Sequence, residues 1–305
     1  MMVSCRRAFV LYHCFFLWSL GWSSAQQDET HLKSVTDLYN EASSHLASDN
    51  WSYSCSESSE GPDHWADLDP RWAVCKSGRM QSPIDVHKYE LEEDLELGML
   101  PLTYDNAPEY SNATITNDGR TIKVIRGGGS LIIKGVNYSL AYVDFHSPSE
   151  HTINGVDGRS VLPANLAVLV KLIFRFMLRF PLEMQVFHVS PEGANAIIVA
   201  VFEYGEAENP VLEQVTSQLG KLKKNQALAG VPVNIYSKPT DTHHYYQYGG
   251  SLTTPPCTEG VIWTIVSTIY KVSPIQLALF RVALEGSNSR PVQALNERKV
   301  SVSAF

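Results

Sequence analysis

The residue types able to do chemistry are thinly spread through this chain of 305 residues, and their local groupings are weak. His243 and His244 stand side by side in a Tyr-rich stretch, where paired imidazoles could contribute to a metal site. They match no metal-site motif, so they read as solvent-exposed loop histidines. Arg126-Gly127-Gly128-Gly129-Ser130 has the glycine content of a phosphate cradle but lacks the helix and Lys that must follow one, and it reads as a turn between two strands. Glu90, Glu92, Glu93, Asp94 and Glu96 could hold calcium loosely or face a mineral surface. Their spacing is not that of a calcium loop, and a solvated loop is the expectation.

Longer motifs say more. Gly61-Pro-Asp-His-Trp65, Gln81-Ser-Pro-Ile-Asp85, Phe145-His-Ser-Pro-Ser-Glu-His-Thr-Ile-Asn-Gly155, Gly250-Ser-Leu-Thr-Thr-Pro-Pro-Cys-Thr-Glu-Gly-Val-Ile-Trp263 and Arg290-Pro-Val-Gln293 follow one another from about Trp51 to the C-terminus. In content and order they resemble the α-class carbonic anhydrase family. The resemblance implies one domain around a large, twisted, mostly antiparallel sheet with a few peripheral helices, a mainly β (α+β) fold. It also implies a conical cavity that ends, in active members, at zinc. Zinc held by three neutral imidazoles keeps its full charge and brings a bound water to a pKa of about 7, so that hydroxide attacks CO₂ at neutral pH.

Carried onto this chain residue by residue, the family's ligand positions fall on Asp144, His146 and Gln185. The first two are an i, i+2 pair, which a strand places on one face. Two of the three expected histidines are therefore replaced. Aspartate would make the bound water less acidic, and a neutral amide oxygen is a poor zinc donor that also leaves Glu183 without an imidazole to orient. The position of the family's proton-shuttling histidine corresponds to Arg120, which cannot release a proton at physiological pH. Thr253 and Glu150 match the hydroxyl–carboxylate pair that orients zinc-bound hydroxide. Leu252, Val261 and Trp263 match the apolar wall against which CO₂ rests, with Phe187 larger than the family's usual residue there. His151 and His188 resemble the family's buried structural histidines near Glu183. Cys75 and Cys257 match a disulfide of secreted members.

These residues need a sheet to position them, and the sequence supplies one. Short β-branched and aromatic runs at Thr121–Arg126, Ser130–Lys134, Asn137–Phe145, Met184–Val189 and Ala196–Tyr204 are separated by Gly, Pro and Asn, and helical spacing is clearest near Asn209–Lys223 and Ser273–Leu284. Ahead of the domain at 51–305, residues 1–25 read as a signal peptide: Arg6 and Arg7, an apolar run from Ala8 to Trp22, then Ser23-Ser24-Ala25. Residues 26–50 form a polar extension with one helical apolar face. Residues 160–180 are an apolar insert that interrupts the family pattern, with Lys171, Arg175 and Arg179 spaced by four. As a basic amphipathic helix this insert would lie on a membrane surface or a partner. The competing readings are a helix that covers part of the sheet and an error in deriving the protein from its gene.

Loss of the leader removes two arginines and no acid, taking the net charge from −8 to −10. Nucleic acid is thereby excluded as a partner, because phosphate binding needs basic surface. Cys55, Cys75 and Cys257 remain, which in an oxidising compartment suggests one disulfide and a spare thiol that is free or links two chains. Glycosylation acceptors occur at Asn50, Asn112 and Asn137. The expectation is a secreted, extracellular glycoprotein without CO₂ hydratase activity and without a cofactor, acting as a binding or matrix component on an extracellular protein or matrix partner. An acidic charge is compatible with a mineralised setting. One alternative is a weak zinc-dependent carbonic anhydrase using Asp144, His146 and Gln185; another is a membrane-surface protein held by residues 160–180.

Overall fold

Helix and strand boundaries follow from local chemistry. In the computed structural model, which describes residues 51–54, 60–104, 112–155, 179–233 and 242–304, two helices of ten residues each are capped by their own sequence. Helix α1 (Pro210–Leu219) starts where the Asn209 side chain accepts the N–H groups of Val211 and Leu212, with proline in the first turn. Helix α2 (Pro274–Ala283) starts at a reciprocal capping box between Ser273 and Gln276. The buried faces of both, Leu212, Val215 and Leu219 on one and Leu277 and Phe280 on the other, enter the same apolar cluster. Shorter helical turns occur at Trp65–Leu68, Pro70–Trp72 and Val74–Ser77.

The strands in chain order are β1 (Asp85–Val86), β2 (Glu92–Asp94), β3 (Leu102–Tyr104), β4 (Asn112–Asn117), β5 (Ile122–Ile125), β6 (Gly129–Ile133), β7 (Val136–His146), β8 (Thr152–Ile153), β9 (Leu182–Val189), β10 (Asn195–Tyr204), β11 (Gln226–Pro232), β12 (Tyr245–Ser251), β13 (Glu259–Val272) and β14 (Ser301–Ser303). All but β1 and β8, which pair with each other, join a 12-stranded sheet in the order β11-β4-β5-β7-β9-β10-β13-β12-β14-β2, with β6 also on β7 and β3 on β6. Within this sheet pairing is antiparallel except for β10 with β13 and β14 with β2, and β1 pairs with β8 in parallel. This is the mainly β fold that the motifs imply.

Strand β10 shows why the sheet holds together. Ala196, Ile198, Ala200 and Phe202 enter the cluster that takes up the two helices. Ile197, Val199 and Val201 enter a second cluster on the opposite face, with Phe187, Tyr248, Val261 and Trp263. Period-2 alternation thus buries both faces, as a central strand requires. A third cluster, Trp51, Tyr53, Trp65 and Trp72, packs around Cys75 and Cys257, which are joined in a disulfide.

One expectation fails here. Glu92, Glu93 and Asp94, assigned above to a solvated loop, form the edge strand β2 in parallel pairing with β14. Edge position explains it: backbone bonds hold the strand while its acids remain in water, and Glu92 meets Lys299 at 2.8 Å. The leader, the 26–50 extension, Asn50, Cys55 and residues 160–178 of the insert lie outside the described residues.

Candidate functional site

The register of three neighbouring strands brings the ligand-position residues together. Asp144 on β7 lies directly opposite Gln185 on β9, and His146 opposite Glu183; on its other side Asp144 pairs with Lys123 of β5. Period 2 puts Tyr142, Asp144 and His146 on one face of β7, and Glu183, Gln185 and Phe187 on the matching face of β9. Asp144, His146, Glu150, Glu183 and Gln185 are all buried.

Asn288 fixes the end of β7. Its amide donates to the Phe145 carbonyl at 2.9 Å, its side-chain oxygen accepts the Ser147 N–H at 2.8 Å, and its backbone carbonyl lies 2.7 Å from His146 Nδ1. A carbonyl only accepts, so Nδ1 carries a proton and Nε2 is the nitrogen turned toward Asp144, 3.6 Å from Oδ1. Burial by itself would lower the pKa of this imidazole, but the surrounding carboxylates of Glu150, Asp144 and Glu183 outweigh that effect and hold it at about 10.

Behind this row stands a closed ring of polar partners. Glu183 Oε2 accepts the N–H groups of Glu150 and His151, and Oε1 accepts His151 Nδ1 at 2.9 Å and Gln185 Nε2 at 2.8 Å. Burial raises the Glu183 pKa, but these donors and the His151 and His146 charges bring it down to about 2. Glu150 accepts the Arg290 N–H on Oε1 and Gln185 Nε2, at 2.9 Å, on Oε2. His151 Nε2 continues to the Tyr248 hydroxyl at 2.8 Å, which meets Ser82 Oγ at 2.9 Å. The Arg290 guanidinium donates to Gln81, to the Ser82 carbonyl and to the Cys75 carbonyl, so the motif residues of three distant segments form one buried network.

Three expectations are corrected by this geometry. Glu183, expected to have no imidazole to orient, holds that of His151, and the Gln185 amide stands where the ligand-position imidazole would be. No hydrogen bond joins Thr253 to Glu150 among the described residues; the Glu150 oxygens accept from Arg290 and Gln185. His151 is in contact with Glu183, but His188 is not: three residues from Gln185, it falls on the other face, with Nδ1 3.1 Å from the Val186 carbonyl and Nε2 3.3 Å from the Tyr104 hydroxyl. Burial lowers its pKa to about 4.

The remaining assigned residues lie around this row. Phe187, Val261 and Trp263 are buried in one cluster, with Leu252 packed against it. Thr253 is buried. Arg120 donates through Nε to the Trp51 carbonyl and stands 4.4 Å from that ring's centroid. Asn112, Asn137, His243 and His244 are exposed. Several contributors were missed by sequence reasoning. Tyr142 shares the period-2 face with Asp144 and His146 and could have been found that way. Lys123, Asn288, Tyr248 and Tyr53, whose ring lies 6.4 Å from the His146 ring, arrive from distant segments with no local signal.

Zinc is the group such a site implies, and the donor atoms test the fit. Asp144 Oδ1, His146 Nε2 and Gln185 Oε1 are buried and have no hydrogen-bond partner among the described residues. Their chemistry, however, is one carboxylate, one imidazole and one neutral amide, and no group of three or more His, Cys, Asp or Glu able to hold a metal occurs among the described residues. The position of the ligands is retained while the donor set does not fit a zinc centre that generates hydroxide at neutral pH.

A large mixed sheet with this site at its centre defines the class of α-carbonic anhydrases. The chain belongs to the eukaryotic-type carbonic anhydrase family, whose match covers residues 60–164 and 177–304 and breaks within the insert. It is 35% identical over 252 residues to alpha carbonic anhydrase 5 of Arabidopsis thaliana, covering 80% of this chain and 81% of the relative. It is 33% identical over 300 residues to dioscorin DB3L of Dioscorea polystachya, covering 95% and 93%. The crystal structure of dioscorin complexed with ascorbate superposes with a TM-score of 0.70 at 32% identity, covering 84% of this chain and 98% of that one.

Proposed function

We propose that this protein is a member of the carbonic anhydrase family that does not hydrate CO₂ and serves outside the cell as a binding or matrix component. The observation that carries the reading is Gln185. Its Nε2 is committed to Glu150 and Glu183, which leaves only an amide oxygen where the reaction needs a third imidazole. The dioscorin likeness adds support, since one dioscorin structure holds a small organic molecule, ascorbate. Secretion is part of the proposal and rests on the leader-like residues 1–25; exposed Asn112 and Asn137 are open to glycosylation there.

Metal content and CO₂ hydration rate of the purified, secreted chain test the proposal, with Asp144→His plus Gln185→His as the gain-of-function control. The expected result is no stoichiometric zinc and no rate above buffer in the parent, with both gained in the double variant. Stoichiometric zinc with inhibitor-sensitive turnover in the parent overturns it.

A further inference from the structure

We propose that Lys123, backed by Tyr142, forms an anion-binding subsite beside the ligand row and takes a small organic carboxylate with an apolar body; this deepens the binding role proposed above and rests on it. Lys123 pairs in register with Asp144, and Ile125 with Tyr142, so the lysine projects from the same face as Tyr142, Asp144 and His146. Its Nζ lies 5.1 Å from the centroid of the Tyr142 ring. Tyr142 in turn stacks on Phe187, with centroids 4.4 Å apart and planes 18° from parallel. The side chain of Lys123 is only 12% exposed, and its one carboxylate neighbour among the described residues, Asp118, is 3.9 Å away. This is a loose ion pair, to Oδ2 and beyond hydrogen-bond distance, while Asp118 Oδ1 accepts the N–H groups of Arg120 and Thr121.

The other acids on this face have their own partners: Glu183 has His151, Gln185 and two backbone N–H groups, Glu150 has Arg290 and Gln185, and Asp144, opposite Lys123 in register, is ion-paired at 3.6 Å with His146. The stem of Lys123 is mostly buried, while its ammonium, which is not among the buried atoms that lack a partner, reaches solvent with the loose Asp118 pair and the Tyr142 ring as its neighbours and so can meet an incoming ligand. An incoming carboxylate supplies the missing charge-assisted acceptor. The apolar edge of Tyr142 and the half-buried Leu252, both packed on the Phe187 cluster, give the body of such a ligand a surface to rest on.

The test is calorimetric titration of the full mature chain with benzoate and with its neutral analogue benzyl alcohol, alongside Lys123→Gln and Lys123→Arg, with zinc content measured on the same samples. Benzoate is expected to bind more tightly than benzyl alcohol. Lys123→Gln should weaken benzoate by about tenfold, or about 1.4 kcal/mol, while leaving benzyl alcohol unchanged. Lys123→Arg, which keeps the charge, should retain benzoate binding and so separates loss of the ammonium from misfolding. Equal binding of the two probes, unchanged benzoate affinity in Lys123→Gln, or no benzoate binding by metal-free protein overturns this inference alone. Zinc-loaded protein that binds benzoate equally in parent and Lys123→Gln overturns both it and the proposed function.

Discussion

Two rows of buried polar groups lie within one side chain of each other, and their condition is opposite. In the ring formed by Glu150, His151, Glu183, Tyr248 and Arg290, every carboxylate oxygen has at least one donor, and Arg290 Nε is its one buried atom without a partner among the described residues. In the ligand row, Asp144, His146 and Gln185 each present an atom with none among the described residues. The two rows share burial, strands and even a residue, since Gln185 belongs to the row through its oxygen and to the ring through its nitrogen. The difference teaches what holds such a site in place. A buried charge with a full set of partners is costly to disturb whether or not a metal is bound in front of it, so the supporting ring is retained on stability grounds alone. The front row answers only to the reaction, and its residues are free to change when the reaction is not required.

The contrast breaks first if the ring is cut. Glu183→Ala strands two backbone N–H groups, the His151 ring and the Gln185 amide in a dry interior, and should lower unfolding free energy by about 3–5 kcal/mol in urea titrations. A cost near that of an ordinary surface change would mean the ring is relaxed and the comparison empty. Next comes the Cys75–Cys257 disulfide, which closes a sequence separation of 182 residues beside the ring. Replacing both cysteines with serine should cost about 2–5 kcal/mol by the same measurement, since the cross-link restricts the unfolded chain.

Much of this arrangement can be read from residue order. The strand runs, the helix starts at Asn209-Pro210 and Ser273-Pro274, and the ligand positions follow from period, capping chemistry and motif spacing. The wiring between them does not. Gln185 and Glu150 are 35 positions apart, and which end of an amide meets a carboxylate is decided by the competition among all nearby donors, not by either residue. Lys123 reaches Tyr142 through strand register, a property of pairing between segments. The acids of β2 have poor strand preference, and the edge of β14 overrides it. His188 was placed near Glu183 by its motif, although an odd offset from Gln185 assigns it to the opposite face.

That opposite face supplies a pH test of the comparison, smaller than the preceding effects under mild conditions. His188 is buried and neutral, with a pKa near 4 against 6.5 for an unperturbed imidazole. The unfolded chain therefore binds this proton first as pH falls. The contribution of His188 is fully present above pH 6.5 and is lost between 6.5 and 4, amounting to about 2 kcal/mol at pH 5. His188→Gln, whose amide can still meet Tyr104, should flatten the stability profile in that window. An unchanged slope would assign the acid sensitivity to other groups.

The smallest expected effect is the sharpest test of the ligand row. Asp144→Asn removes a buried negative charge whose Oδ1 has no hydrogen bond and whose nearest cationic partner is 3.6 Å away. Removing one partner of a buried pair is costly when it strands the other, but His146 keeps Glu150 at 3.7 Å, so relief of desolvation and loss of one attraction act in opposite directions and are of similar size. The net change in unfolding free energy should therefore stay within about 1 kcal/mol. A loss as large as that of Glu183→Ala would show that Asp144 and His146 form a structural ion pair as tightly built as the ring behind them. The front row would then be held for stability like the ring, and its orphaned atoms would lend no support to the proposed loss of zinc chemistry.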